Sequence, residues 1–392
     1  MAPLEGVKVI ECGLLVQGPQ AAATLAEWGA DVIKVELPGF GDSARWLPMA
    51  PADGRTPHFF ACNRTKRSVT LDLRMPAGVD VFLRLVEWAD VVISNFKPGT
   101  MDEWGVGYAA AAARNPRVIY AMGSSYGSKG TNAVREGADL GAQAAGGLIS
   151  TTGGAGVPPS PIGATIADHI GSQNIVGGVL AALYARERTG RGQLIETSLV
   201  GAVMWAQAPE ISACLMSGHP AGPSAQGHPL VAGIYAVFPT ADGHIAVVGV
   251  PSPQRARFFD AIGHPELEES LGKLLYFEED KAELFPVLNE IFRTRTTAAW
   301  VQILRDAGIR YAPVRDHAEI VADPDSWENG YLSRVGSGEA AVSMVRVPVA
   351  FSDTPAVEPT LPPALGEHTF DVLDALGLSG EEIAALAADN VI

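Results

Sequence analysis

Between residues 7 and 125, short apolar runs alternate with stretches whose apolar residues recur at helical spacing, and few folds accommodate that order. Val7-Lys8-Val9-Ile10 reads as a buried strand, and Pro19 to Trp28 as a helix with proline in its first turn and Gly29 at its end. Asp31 to Glu36 is the next strand, and Ser68 to Leu73 is extended. Val79, Phe82, Leu83 and Val86 share one helical face ahead of the strand Asp90 to Ser94, and Arg117 to Met122 is another strand. Strands of this kind, alternating with helices, predict an α/β fold: a Rossmann-like, mostly parallel sheet covered on both faces.

The texture then changes. Residues 123–165 are rich in Gly, Ser, Thr and Pro and read as loop. A long helix is expected over Ile166 to Arg188, closed by Thr189-Gly190-Arg191-Gly192, and another over Ser198 to Met216. Tyr235 to Phe238 and His244 to Val248 flank Ala241-Asp242-Gly243, a hairpin signal, and helical patterns fill about 253–308. Residues 343–363 are proline-punctuated and linker-like, and a final helix covers about Thr369 to Ala388. The expected organisation is a large α/β domain from residues 1–200 and 330–392, with a small α+β domain at 201–329.

Charge narrows the function. The 392 residues include 28 Lys and Arg against 44 Asp and Glu, a net charge of −16. Such a chain lacks the basic footprint of a nucleic-acid binder. Residues 1–100 are nearly neutral, with 10 basic and 11 acidic side chains, so an anionic ligand sits better there. Cys12, Cys62 and Cys214 are far apart and in no C-x-x-C pattern, which predicts neither disulfides nor a zinc site and suits a cytoplasmic location. Met1 to Gly6 lacks the charged and apolar segments of a signal peptide. The most apolar stretch, Ile166 to Ala185, contains Asp168, His169, Gln173 and Asn174 and is not the make-up of a membrane span. No metal is expected, because His219, His228 and His244 near Asp242 lack face-matched ligand spacing.

Two motifs mimic known sites. Gly39-Phe40-Gly41-Asp42-Ser43-Ala44 fits G-x-G-x-x-A, but Trp46-Leu47-Pro48 follows where a dinucleotide fingerprint needs a helix. Gly123-Ser124-Ser125-Tyr126-Gly127 fits G-x-S-x-G after a strand, which would make Ser125 a hydrolase nucleophile; the residues that follow are loop-like, where an elbow runs straight into a helix.

Two further features point to chemistry. Arg64, Lys66, Arg67 and Arg74 fall within eleven residues, and Asn95-Phe96-Lys97 occupies the C-terminal end of a parallel-type strand, where open α/β sheets bind ligands. Fixed cations there would suit phosphates, although a solvated charged face has the same composition. Asp168 lies near the start of the long helix. It is either an aspartate that complements the helix dipole or a carboxylate held ionised in a dry site, where it can attack a carbonyl.

Taken together and in order, a series of short segments makes the chain similar to the family III CoA-transferases, the group that includes formyl-CoA transferase and carnitine CoA-transferase. They are Leu4-Glu5-Gly6-Val7-Lys8-Val9-Ile10, Gly18-Pro19, Gly29 to Glu36, Gly41-Asp42 with Arg45, and Asn63 to Ser68 with Leu71-Asp72-Leu73. Ala181-Ala182-Leu183-Tyr184, Thr189 to Gln193 and Leu365-Gly366-Glu367-His368-Thr369 complete the series. The resemblance implies that Asp168 is the nucleophile and that coenzyme A and acyl-CoA are the substrates, with no metal. It implies CoA contacts at Arg45, Arg67, Leu71, Asp72, Leu73, Arg74, Asn95, Phe96 and Lys97. It also places Asp139 at an acidic active-site position and Gln17 one residue from the active-site glutamine. Asp102-Glu103-Trp104 stands where the family often has a CoA-binding arginine. An interlinked homodimer is implied as well.

The resemblance also covers α-methylacyl-CoA racemases, which need an acid/base pair and use a histidine where this chain has Ala138. The expected function is therefore transfer of CoA from an acyl-CoA to a carboxylic acid through aspartyl anhydride and thioester intermediates. A racemase is the alternative and a serine hydrolase at Ser125 a distant one. The glycines at Gly146-Gly147, Gly153-Gly154 and Gly222–Gly233 are candidates for mobile covers, and Gln226 to Gly233 is closer to the carnitine-type branch in loop shape.

Overall fold

The structure, a computed structural model, describes all residues except 50–54, 155, 224–226, 251–253, 272–277, 337, 339 and 340. Gln226 in the carnitine-like segment and parts of the helical stretch 253–308 therefore lie outside the described residues. The chain divides into two compact units, one of Met1–Gly146, Gly163–Ala206 and Pro324–Ile392, the other of Gly147–Ile162 and Gln207–Asp323.

The first unit opens with β1 (Lys8–Cys12), α1 (Gln17–Glu27), β2 (Asp31–Glu36), α2 (Pro57–Asn63), β3 (Arg67–Thr70), α3 (Pro76–Trp88) and β4 (Val91–Ser94). It continues through α4 (Thr100–Glu103), α5 (Tyr108–Arg114), β5 (Ile119–Ser124) and α6 (Asp139–Ala145). After α7 (Leu148–Thr151), which belongs to the second unit, come α8 (Ile166–Thr189), β6 (Leu194–Ser198) and α9 (Leu199–Ala206). The six strands form one sheet in the order β3-β2-β1-β4-β5-β6, with every adjacent pair parallel. The order reverses between β1 and β4, so the crevice beyond their C-terminal ends is the switch point where such sheets bind ligands.

The apolar runs are continuous because both faces are buried. Along the strands, Val9, Val32, Val91, Ile93, Ile119 and Ala121 pack into the layer of α1 and α8. Ile10, Ile33, Val92 and Tyr120 point the other way, into the layer that contains residues of α3, α5 and the C-terminal helices. Each fully buried large side chain stabilises the fold by about 1.5–3 kcal/mol. The edge strand β3 is covered by the matched segment near the C-terminus: the His368 N–H donates to the Ser68 carbonyl (2.9 Å), the Gly366 N–H to Ser68 Oγ (2.9 Å), and the Thr70 N–H to Thr369 Oγ1 (3.0 Å). A covered edge cannot pair with another chain.

Four local expectations change. The loop-like stretch 123–165 contains α6, whose sequence Asp-Leu-Gly-Ala-Gln-Ala-Ala is too short and too small in side chains to show periodicity. The helix expected over Ser198 to Met216 is two helices, α9 and Ala208–Ser217. Pro209 lies in the first turn of the second, where its missing N–H costs nothing. The final helix is also two, Thr369–Ala375 and Gly380–Ala388, because Gly377 turns the chain at φ 82° and Ser379 with Glu382 forms a capping box. The linker-like stretch begins in a strand, Val342–Val345, paired antiparallel with Leu332–Val335.

In the second unit, Tyr235–Pro239 and His244–Val248 form the expected hairpin, and Tyr311–Pro313 adds a third antiparallel strand. Phe238 stacks on Phe292 at 4.8 Å in its core. Among the described residues no single helix is long and apolar enough to cross a membrane.

Candidate active site

Asp168 sits in the first turn of α8, whose own N-cap, Thr165, offers no side-chain hydrogen bond. The cap comes from another helix. Asp139, at the start of α6, accepts from the Ala167 N–H (2.7 Å) and the Asp168 N–H (3.1 Å) through Oδ1, while Gln143 Nε2 donates to its Oδ2 (2.6 Å). An aspartate that satisfies two orphan amides fixes where the helix begins, and with it the Asp168 carboxylate. Burial pushes the Asp168 carboxyl up, the Asp139 charge pushes it further, and the Gln17 N–H partly offsets both, leaving it at about 7.

Gln17 begins α1, so its N–H is one of that helix's unsatisfied amides, and it favours the charged form of Asp168. Its side chain is buried between β5 and α8, with Nε2 lacking a hydrogen-bond partner. Glycine makes the room: a Cβ at Gly171 would lie 2.9 Å from Gln17 Nε2, and one at Gly123 would collide with the carboxamide. A half-buried carboxylate can attack an acyl carbon, and the unpartnered Gln17 amide is packed on the same helix at Gly171.

A separate cavity of about 230 Å³ opens at the C-terminal ends of β1, β2 and β3. Leu71, Asp72, Leu73, Arg74 and Phe96 line it, joined by Phe40 and Trp104. Trp104 meets Phe96 edge to face at 5.1 Å, so the segment that stands where the family often has an arginine supplies an aromatic wall. Arg74 is held by Asp72 through two hydrogen bonds of 2.8 and 2.6 Å, with its guanidinium reaching solvent, and Lys97 is exposed nearby in sequence. Such a slot suits a planar base, with a cation at its rim for phosphate.

The remaining cations are engaged elsewhere. Arg45 is buried, paired with Glu36 at 2.9 and 2.8 Å and lying 3.7 Å over the Phe59 ring, and it does not line the cavity. Arg67 stands at the N-terminal end of β3 and pairs with Asp31 at the start of β2, the opposite end of the sheet from the cavity. Arg64 pairs with Glu27, and Lys66 is buried against Glu11 (3.0 Å) and Asn63 (2.8 Å). The eleven-residue basic stretch thus forms internal ion pairs, and only Arg74 reaches the cavity. Asn95 spends its side chain on Leu14, accepting from its N–H (2.8 Å) and donating to its carbonyl (2.9 Å).

Sequence reasoning passed over Gln143 and gave Asp42 and Trp104 no role of their own. The i, i+4 pair Asp139 and Gln143 was the available signal for the first, hidden because no helix was expected there. After Ser125 no helix starts before Asp139, so no nucleophile elbow forms. Ala138, beside Asp139, carries no titratable group. Among the described residues no group of His, Cys, Asp and Glu could hold a metal ion.

Comparison with known proteins identifies the family. The profile of CoA-transferase family III matches residues 4–369. The chain is 32% identical over 396 residues to succinyl-CoA–D-citramalate CoA-transferase of Chloroflexus aurantiacus, covering 100% of this chain and 98% of that one. It is 29% identical over 397 residues to succinyl-CoA:glutarate CoA-transferase of Homo sapiens, covering 100% and 90%. Among solved structures, a CAIB/BAIF family protein from Brucella suis superposes with a TM-score of 0.86 at 31% identity, covering 96% and 99% of the two chains. This chain therefore belongs to CoA-transferase family III, enzymes that move coenzyme A from an acyl-CoA donor to a carboxylic acid acceptor.

Proposed function

We propose that Asp168 is the nucleophile of this transfer. One Oδ attacks the donor thioester carbonyl and CoA thiolate leaves, giving a mixed anhydride. The thiolate returns to the aspartyl carbonyl, releasing the donor acid as its carboxylate and forming an aspartyl-CoA thioester. The acceptor carboxylate attacks that thioester and expels the thiolate. The thiolate then takes the acceptor acyl group and frees Asp168. No proton is gained or lost overall, and each step replaces one activated acyl group by another. The supporting observation is the placement of Asp168: burial and the Asp139 charge weaken its conjugate acid, and the Gln17 N–H orients the ionised carboxylate. A more basic carboxylate is the better nucleophile once ionised.

Asp139 then acts through Asp168, and Gln17 faces the reacting acyl group. The CoA nucleotide occupies the cavity of Leu71, Leu73, Phe96 and Trp104, with Arg74 at its rim. Succinyl-CoA is the first donor to try, since the relatives from Chloroflexus aurantiacus and Homo sapiens are named for it. A cytoplasmic, interlinked homodimer goes with this reading; three free cysteines suit a reducing compartment, and the family resemblance supports the dimer, which light scattering would test.

The test is mass spectrometry of the protein after mixing with succinyl-CoA and hydroxylamine, which converts an aspartyl thioester or anhydride to a hydroxamate. The adduct is expected on Asp168 and absent from Asp168→Ala. Full turnover by Asp168→Ala would overturn the proposal.

A further inference from the structure

The turn between β1 and α1 is short, contains one left-handed residue and is clamped from two sides. Leu15 has φ 63°, a conformation a branched side chain adopts only under compulsion. The compulsion is visible. Asn95, just past β4, grips Leu14 by both its N–H (2.8 Å) and its carbonyl (2.9 Å). Asp42 accepts from the Leu15 N–H at 2.9 Å, and Asp42 is itself tied to the buried Lys34 at 2.9 Å. The fit leaves no slack: a Cβ at Gly13 would lie 2.8 Å from Asn95 Oδ1, and one at Gly18 3.3 Å. Two residues beyond Leu15 comes Gln17, whose side chain packs on α8 at Gly171, where a Cβ would lie 2.9 Å from its Nε2.

We infer that Asn95 and Asp42 are positioning residues for CoA transfer, holding the Gly13–Val16 turn in the one conformation that seats Gln17 against α8, the helix that carries the nucleophile. The inference rests on Asp168 being that nucleophile. It gives Asn95 a role other than contact with CoA: both polar atoms of its side chain are spent on Leu14, and it does not line the cavity. Three groups set the charge state of Asp168: its own buried setting, Asp139 from α6, and the Gln17 N–H from α1. The clamp controls the third. Without it the strained residue relaxes, Gln17 shifts, and the carboxylate loses the one member of that set that favours its charge.

The experiment compares the full-length protein with Asn95→Ala, Asn95→Asp and the double variant Asn95→Ala with Leu15→Gly. Steady-state turnover and hydroxamate formation are followed from pH 5 to 9. Asn95→Ala should lower kcat about tenfold or more while KM for the acyl-CoA stays within about threefold, and should move the pH midpoint upward. Asn95→Asp keeps the acceptor for Leu14 and should fall between; it also serves if Asn95→Ala does not fold. Leu15→Gly, which makes the left-handed conformation cheap, should return part of the lost kcat. A raised KM with unchanged kcat would make Asn95 a CoA contact and overturn the inference. A lower kcat at an unchanged midpoint, with no rescue by Leu15→Gly, would reduce the clamp to a structural feature and overturn it too. Absence of a hydroxamate in the unaltered protein would instead strike the nucleophile reading beneath it.

Discussion

Two of the places where the first unit buries carboxylates treat them oppositely. Glu36 and Asp42 lie under the sheet's C-terminal edge, where burial alone would push both carboxyls up. Arg45 and Lys34 hold Glu36 below the usual range, and Lys34 with the Leu15 and Ala44 N–H groups does the same for Asp42. Asp168 is half-buried, but the charge that acts on it is another carboxylate, Asp139, and it ends at about 7. Burial is common to both regions, so the partner decides the outcome. Glu36 and Asp42 have a lysine or arginine; the carboxylate assigned to chemistry has an anion and a single amide. Strong perturbation of that kind marks functional sites more often than structural ones.

Removing the partner in each region should break the contrast in opposite directions. Lys34 bridges Glu11 (3.0 Å) and Asp42 (2.9 Å) with no exposed surface. Lys34→Met leaves two buried anions short of a cation and should cost about 3–5 kcal/mol in urea unfolding. Asp168→Asn should do the reverse. The folded carboxyl titrates near 7 and the unfolded one near 4, so between those values the folded state binds more protons and stability falls as pH rises. The Asn variant lacks that slope and should be about 1–3 kcal/mol more stable above pH 7, while losing turnover. A variant no more stable at pH 8 than the parent would mean that Asp168 is not held against its charge.

A smaller change sharpens the same point. Asp139→Asn keeps an oxygen to accept from the Ala167 and Asp168 N–H groups but removes the charge. The pH midpoint of hydroxamate formation should fall by about half to one unit, with the helix start intact by thermal unfolding. An unmoved midpoint would leave burial as the only cause.

Much of the fold was legible. The strand Asp31–Glu36 has the expected bounds because a Val/Ile run between turns permits little else, and α8 begins and ends within a residue of expectation because Gly190 and the late arginines close it. The site was legible in its residue types and not in its wiring. Asp168 and Asp139 are 29 positions apart, and the hydrogen bond that makes one the cap of the other's helix has no local signature. The left-handed Leu15 is equally silent: the turn Gly13-Leu14-Leu15-Val16 places no glycine or asparagine at that position, because contacts from Asn95 and Asp42 impose it. A cluster of cations in sequence reveals even less, since its carboxylate partners lie on other strands and helices.

The weakest expected effects separate two arginines seven positions apart. Arg74 lies at the cavity rim, and its pair with Asp72 is open to solvent on one side. Arg67 forms an equally good pair with Asp31, at the far end of the sheet. Surface ion pairs contribute about 0–1 kcal/mol, so neither substitution by alanine should shift stability much. Binding should distinguish them. If the nucleotide's phosphates meet the Arg74 guanidinium, Arg74→Ala should raise KM for the acyl-CoA by about three- to tenfold at low salt, and less as salt screens the contact. Arg67→Ala should leave KM within about twofold at every salt concentration, because Arg67 stands at the opposite end of β3 from the cavity and is paired with Asp31. Equal effects of the two would place the nucleotide somewhere other than the aromatic slot of Phe96 and Trp104.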